Sequence, residues 1–367
     1  MSDESLRTHG VAVRLLAEAE EYGPRRAVRT DPFSRRVRVV ALGGGTGLSV
    51  LLQGLRTALF PSRGRRTTDR NRDRLTAIVT VADDGGSSGR LRRAYGMIPP
   101  GDIRKCLLAL SDGDPTLAAI FNFRFNGHGV REVGGHSLGN LILTALSQLE
   151  NDDFLGALDR ANRILGARGR VLPASLDDVR LLAEFTDGTS AEGESQIASA
   201  RRLIKRVRLI PTTARALPEA REAIMGADLV VIGPGSLYTS LIPVLLLRDL
   251  SDAIARSGAR VALVMNLMTE PGETDGARVR DHLLAIRRHA PQMPIHDVLV
   301  NSAPIPSHLT ERYAAEGAVP IAPDVHALRA LGCRGMRADL LAPGHLIRHD
   351  PDKLARAVLE LAQEVRS

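Results

Sequence analysis

The sequence predicts an α/β protein: a Rossmann-like, doubly wound, mostly parallel sheet in a three-layer α/β/α sandwich, with a helical insertion and a small antiparallel hairpin appendage. The first observation is a repeated grammar, in which a short apolar run ends in a glycine-rich or polar turn and an apolar-periodic segment follows. Continuous apolar runs suit parallel strands covered on both faces, and strands alternating with helices imply a parallel sheet. The second is composition: 44% of residues are apolar but only 3% aromatic, with no tryptophan, so Leu, Val, Ile and Ala must build the core. The third is length: 367 residues favour one large core with an inserted piece over several small modules.

Residues 1–35 read as a weakly ordered extension, with a short helical pattern from Val11 to Tyr22 followed by Arg/Asp/Pro-rich sequence. Residues 36–367 read as a single Rossmann-type domain with an insertion at about 103–200. The core opens with a strand from Val37 to Leu42, which runs into Gly43-Gly44-Gly45-Thr46-Gly47 and a helix from Leu48 to Leu59. A second strand, Leu75 to Val81, ends in Asp83-Asp84-Gly85-Gly86-Ser87-Ser88-Gly89. From Ile103 to Leu165 the pattern is helical. Val179 to Phe185, Asp187-Gly188 and the run from Thr189 form a hairpin signal, because Asp-Gly suits the positive φ angles of a two-residue turn. Strands return at Asp228 to Ile232, Val261 to Met265 and Asp297 to Val300, the first ending in Gly233-Pro234-Gly235-Ser236 and the second in Asn266. In open parallel sheets ligands bind outside the carboxyl ends of the strands, so these turns should converge on one crevice.

The turn Gly43 to Gly47 leaves backbone N–H groups unshielded by β-carbons, and the helix after it aims its positive dipole end at them. That is a phosphate cradle. No lysine follows, so it is not a Walker A loop, and Leu48 occupies the third glycine position of the dinucleotide fingerprint. Asp83 and Asp84 stand beside a Gly/Ser nest containing Ser87 and Ser88, where one carboxylate can hold a divalent cation, magnesium for example, or a ribose hydroxyl while the other caps the turn. Arg90 and Arg104 are candidates to fork onto phosphate oxygens, and Asp102 reads as the N-cap of the next helix. His136 and Asn140 lie four apart and share a helix face. Gly233, Gly235 and Ser236 offer a second cradle, and two cradles suit a ligand with two separated polar ends, such as a nucleoside diphosphate joined to a sugar. Asn266, Thr269, Glu270, Glu273 and Thr274 add polar groups at a third strand end.

Several classes of function are disfavoured. The sequence has no Ser/His/Asp order, no H-E-x-x-H and no Cys/His metal cluster. Cys106 and Cys333 cannot make a disulfide framework, and the N-terminus lacks an apolar run, which together point to a reducing, cytoplasmic compartment. The uncharged stretch from Leu229 to Leu247 is broken by Gly233, Pro234, Gly235 and Pro243, so it reads as strand, turn and helix instead of a membrane span. Of the net charge of +7, an excess of +5 lies between Arg56 and Arg74, where seven arginines face two aspartates. A solvated loop is the preferred reading of that stretch, and nucleic-acid binding ranks last.

Taken together, Gly43 to Ser49, Val79 to Arg90, Pro99 to Arg104, His136 to Leu141, Gly233 to Ser240 and Asn266 to Thr274 closely resemble the YvcK-like branch of the CofD-like superfamily, the gluconeogenesis factors. The match runs in order from about Val37 to the Leu354 region. The resemblance implies a Rossmann-like core, binding of UDP-sugars such as UDP-N-acetylglucosamine, a role in cell-wall and cell-shape homeostasis on gluconeogenic carbon sources, and a homodimer. It places Tyr238, Asn266 and Thr274 at the nucleoside or sugar end. The other branch is 2-phospho-L-lactate transferase, a metal-dependent enzyme that joins a phospholactyl group to a deazaflavin with loss of GMP. Asp83, Asp84 and Asp102 fall where its carboxylates are expected. Glu270 stands where the closer branch is expected to carry Gln. The expectation is a nucleotide-sugar-binding regulator acting on an unnamed protein partner, with the transferase as the alternative.

Overall fold

A computed structural model describes residues 37–61, 69–126 and 133–364. The extension 1–35, with its expected helix from Val11 to Tyr22, and the centre of the Arg56 to Arg74 stretch lie outside the described residues. The main sheet has seven strands: β1 (Val39–Gly43), β2 (Leu75–Val79), β3 (Arg170–Pro173), β7 (Leu229–Ile232), β8 (Arg260–Val264), β9 (Asp297–Asn301) and β10 (Arg334–Ala338). Their order is β10-β9-β8-β7-β1-β2-β3 and every pairing is parallel. The chain winds outward from β1 through β2 to β3, then returns beside β1 with β7 and winds the other way. The switch point therefore lies between β1 and β7, where such sheets open a crevice.

Strand periodicity divides the core into two layers. In β1, Val39 and Ala41 face the helices Gly45–Leu59, Pro100–Leu110 and Pro351–Glu364, while Val40 and Leu42 face Pro218–Met225, Arg248–Arg256 and Val279–His289. Within Gly45–Leu59, the buried Leu48, Leu51, Leu52, Leu55 and Leu59 supply the stripe expected of a helix packed on a sheet. A β-carbon at Gly54 would collide with the carbonyl of Pro351, so this glycine permits the close packing of the C-terminal helix.

The helical insertion comprises Pro115–Asn122, Leu138–Leu149 and Phe154–Ile164, following Pro100–Leu110. The appendage is a three-stranded antiparallel sheet in the order β5-β4-β6, formed by β4 (Arg180–Phe185), β5 (Ser190–Glu192) and β6 (Ile204–Ile210). Gly188 in the predicted turn adopts φ +85°. Three strands were not anticipated. β3 lies inside the 103–200 span yet forms an edge of the main sheet, β6 is interrupted by charges, and β10 (RGMRA) lacks an apolar run because it is a half-exposed edge. The segment Leu229 to Leu247 is strand, turn and short helix, and among the described residues no helix is long and apolar enough to cross a membrane.

Opposite the crevice, at the amino ends of three adjacent strands, the Asp297 side chain is fully buried between Arg260 and Arg334. Arg334 Nε donates to Oδ1 at 2.7 Å and Arg260 Nη2 donates to the same oxygen at 2.9 Å. Burial pushes the Asp297 carboxyl up, but the hydrogen bonds from Arg260 and Arg334 outweigh it and hold it below its ordinary value. A depressed folded pKa gives stability that is present above the unfolded pKa and lost as pH falls through the folded one. Asp297→Asn should therefore cost about 2–3 kcal/mol at neutral pH, the modest figure reflecting arginines that keep contact with water. The difference from the parent should narrow below about pH 4. Urea unfolding at the two pH values checks this, and equal midpoints at neutral pH would contradict it.

Candidate functional site

The carboxyl ends of β1, β2, β7 and β8 bring the predicted turns together. Gly43 has φ +143° and Gly45 has φ +68°, so both need the conformational freedom of glycine. A β-carbon at Gly44 would collide with Thr80 and Asp102, and one at Gly47 would collide with the Pro234 carbonyl. The glycine turn after β1 is thus pressed against the second glycine turn after β7. The helix starts at Gly45, earlier than the apolar pattern suggested, because Gly44 serves as its cap residue. Thr46 falls in its first turn.

Each cradle already meets an acceptor. Gly45 N donates to Asp102 Oδ2 at 2.7 Å, while Lys105 Nζ pairs with Asp102 Oδ1 at 3.0 Å. Asp102 is not the cap of its own helix as expected: proline geometry starts that helix at Pro100 with Pro99 at the cap, which leaves Asp102 in the first turn to cap the β1 helix instead. On the other side, Asn266 holds the Gly235 peptide from both ends, accepting from its N–H at 2.9 Å and donating to its carbonyl at 2.8 Å. Ser236 donates to Glu270 at 3.0 Å. Glu273 accepts from Tyr238 N at 3.1 Å and from the Thr239 hydroxyl at 2.8 Å. Gly233 continues the ladder, its N–H donating to the Leu42 carbonyl at 2.9 Å.

The two adjacent aspartates after β2 take different tasks. Asp83 Oδ1 accepts from Gly85 N at 2.9 Å and closes its own turn, with Ser88 hydrogen-bonded to it. Burial, reinforced by the Asp102 charge, pushes the Asp83 carboxyl up. Asp84 Oδ1 accepts from Ser195 N at 2.9 Å, and the absence of a side chain at Gly193 makes room for its other oxygen. Asp84 therefore binds the amino end of the helix Glu194–Ala200 and ties the appendage to the crevice.

Ser87, His136, Asn140 and Arg104 form one buried network. His136 Nδ1 lies 2.9 Å from Ser87 Oγ, Asn140 Nδ2 donates to Ser87 Oγ at 3.0 Å, and Arg104 Nε donates to Asn140 Oδ1 at 2.9 Å. Burial, then the charges of Arg90 and Arg124, push His136 down, which keeps the imidazole neutral. Burial also lowers Arg104, to about 10. Arg90 donates to the Gly134 carbonyl at 2.8 Å and buttresses the loop before His136.

Some expected contacts are local. Thr274 is buried and accepts from Glu270 N at 2.8 Å within its own loop. The Tyr238 ring is buried and meets His289 edge-on at 6.0 Å between centroids, packed in the core beneath the turn. Sequence reasoning missed Glu194 altogether. Burial and then Asp83, Asp102, Asp84 and Glu273 push its carboxyl up to about 9, so it faces the acids of both turns. The available signal was Gly193, at φ +94°, directly after the hairpin. Glu273 rises to about 7, from burial first and Glu270 second. Among the described residues no three His, Cys, Asp or Glu side chains are disposed to hold a metal ion. The hard oxygen donors fit magnesium in another way, since that ion typically takes one or two carboxylates with the rest of its shell from water and ligand phosphates.

Against known proteins, residues 39–341 match the model of the family described as 2-phospho-L-lactate transferase CofD. The chain belongs to the CofD family. Among curated CofD-family relatives, it is similar to the gluconeogenesis factor of Halalkalibacterium halodurans, 45% identical over 329 residues, covering 89% of this chain and 97% of that one. It is likewise 41% identical to the gluconeogenesis factor of Bacillus subtilis, covering 90% of this chain and 100% of the relative. A crystal structure of a UPF0052 family member from Bacillus halodurans superposes with a TM-score of 0.81 at 44% identity, covering 88% of this chain and 100% of that one.

Glu194 also gives this CofD-family site a pH signature. A raised folded pKa means stability that is fully present below the unfolded value near pH 4.5 and is lost as pH rises toward about 9. Glu194→Gln, which cannot ionise, should be more stable than the parent at pH 8 by roughly 1 kcal/mol or more, with the gap closing toward pH 4. Thermal unfolding across that range checks it, and a variant less stable at pH 8 would contradict it.

Proposed function

We propose that this chain is a regulatory protein that binds a nucleoside diphosphate sugar, UDP-N-acetylglucosamine or a close relative, across the β1/β7 switch point. The observation that carries the reading is the contact of the two glycine turns at Gly47 and Pro234, which sets both turns on one crevice at the carboxyl ends of β1 and β7. The likeness to proteins named gluconeogenesis factor supports a role in growth on gluconeogenic carbon, and the output in this proposal is cell-wall and cell-shape homeostasis through a protein partner. Because Asp83 and Asp102 stand close to the glycine turn after β1, a magnesium ion held by either would offset their repulsion of a diphosphate.

The acid cluster also favours a second reading, a metal-dependent transferase of phospholactyl-like groups. Asp83 and Asp102 would hold the cation, and the cation would neutralise charge developing on the diphosphate. Glu194 would carry a proton at its carboxyl.

Calorimetric titration with UDP-N-acetylglucosamine and with GDP, each with and without magnesium, separates the two. The regulator reading expects tight UDP-sugar binding without GDP binding. Magnesium-dependent GDP binding, with release of nucleoside monophosphate that vanishes in Asp83→Asn, would overturn it in favour of the transferase. Gly45 has φ +68° and open space around its absent β-carbon, so Gly45→Ala should cost about 1–2 kcal/mol of stability. The same substitution should weaken UDP-sugar binding, because left-handed strain at this position distorts the turn that faces the ligand.

A homodimer is part of the proposal. The helices Pro115–Asn122 and Leu138–Leu149 are apolar yet leave Ile120 and Leu149 exposed, with Phe123 exposed beside them. Light scattering should give twice the chain mass, and Phe123→Asp should give a monomer. A monomeric parent would contradict this.

A further inference from the structure

Away from the crevice, a cavity of about 680 Å³ opens between β6 and the C-terminal end of the helix Val279–His289. Its volume is that of a small-molecule site. Lys205, Arg206, Arg208 and Arg288 are among its lining residues, with Val207, Leu246 and His289. Four consecutive residues of β6 line it, and consecutive strand residues point to opposite faces. The cavity therefore lies along the free edge of the strand, which among the described residues pairs with β4 alone.

Charge and hydrogen bonding narrow the occupant. Lys205 and Arg206 share the single carboxylate of Glu184, at 2.8 Å and 2.6 Å. Arg208 has no carboxylate partner among the described residues, and Arg288 gives its hydrogen bond to the Lys205 carbonyl at 3.2 Å. The four cations thus exceed the carboxylate that neutralises them. A peptide added as a further strand would need the edge groups of β6, but two are taken: His289 Nε2 accepts from Val207 N at 3.0 Å and Arg288 covers the Lys205 carbonyl. His289 Nδ1 lies 2.8 Å from the Ala285 carbonyl, so its proton sits there and the ring is fixed by backbone at both nitrogens. What remains open to a ligand is the Arg208 guanidinium, with Arg288 also lining the cavity.

We propose that this cavity is a second ligand site, specific for a compact anion carrying a diphosphate or two phosphate groups. It is distinct from the nucleotide crevice but joined to it. The Tyr238 ring abuts His289 on the cavity side, while the Tyr238 N–H is held by Glu273 on the crevice side. Both sites thus border Tyr238, one at its ring through His289 and the other at its N–H.

The test is calorimetric titration of the full chain with inorganic pyrophosphate at low salt. The parent should bind, binding should weaken as salt is raised, and Arg208→Gln should weaken it roughly tenfold, as the loss of one charge-assisted contact does. Arg208 holds up no other group, so this variant should fold like the parent. Gly45→Ala, which alters the crevice, should leave pyrophosphate binding unchanged. The proposal is overturned if pyrophosphate does not bind, or if its binding is lost in Gly45→Ala and kept in Arg208→Gln, which would place it in the crevice. It is equally overturned if a glutamate-rich decapeptide binds in an Arg208-dependent manner while pyrophosphate fails to displace it, since that would make the strand edge a peptide-docking surface.

Discussion

The site depends on one steric constraint, the contact between the turn after β1 and the turn after β7. Gly47 can approach the Pro234 carbonyl only because it has no β-carbon, and Gly44 leaves room for Thr80 and Asp102 in the same way. The parallel sheet brings β1 and β7 side by side, with Val39 to Leu42 in register with Leu229 to Ile232. The glycines convert that adjacency into a shared surface of backbone N–H groups. Any side chain at Gly47 would separate the turns, and a ligand spanning both would lose one of its two anchors.

Electrostatics sets the second condition. Helix amino ends attract negative charge, and here carboxylates already stand at them: Asp102 on Gly45, Glu273 on Tyr238 and Asp84 on Ser195. Burial first, and repulsion from neighbouring acids after it, pushes Asp83, Glu194 and Glu273 up together. A diphosphate entering this crevice must displace a carboxylate, meet a protonated one, or bring a cation. Asp84 adds a mechanical consequence, because its bond to Ser195 makes the appendage part of the crevice wall.

Much of this architecture was legible in the sequence. β1, β2, β7, β8 and β9 have mostly apolar, almost wholly buried centres, and their glycine-rich or polar turns announce the crevice. Ser87, His136, Asn140 and Arg104 were each visible as polar residues near glycines, and the fold assembles them into one network. The rest was hidden for physical reasons. Edge strands such as β10 need no apolar run, and the alternation of β6 is interrupted by Lys205 and Arg206. Tyr238, expected at the nucleoside or sugar end, packs its ring in the core against His289 while its N–H meets Glu273. Glu194 comes to the site through the path of the appendage, its neighbour Ser195 held by Asp84, and Gly193 alone marked the place in the sequence.

The account stands on the two glycine turns serving one ligand. Hydrogen exchange of the backbone amides, with and without UDP-N-acetylglucosamine and magnesium, addresses that directly. The account predicts added protection at both Gly44 to Gly47 and Gly235 to Tyr238 in the same titration, with one shared midpoint. Protection at only one turn, or different midpoints at the two, would contradict it.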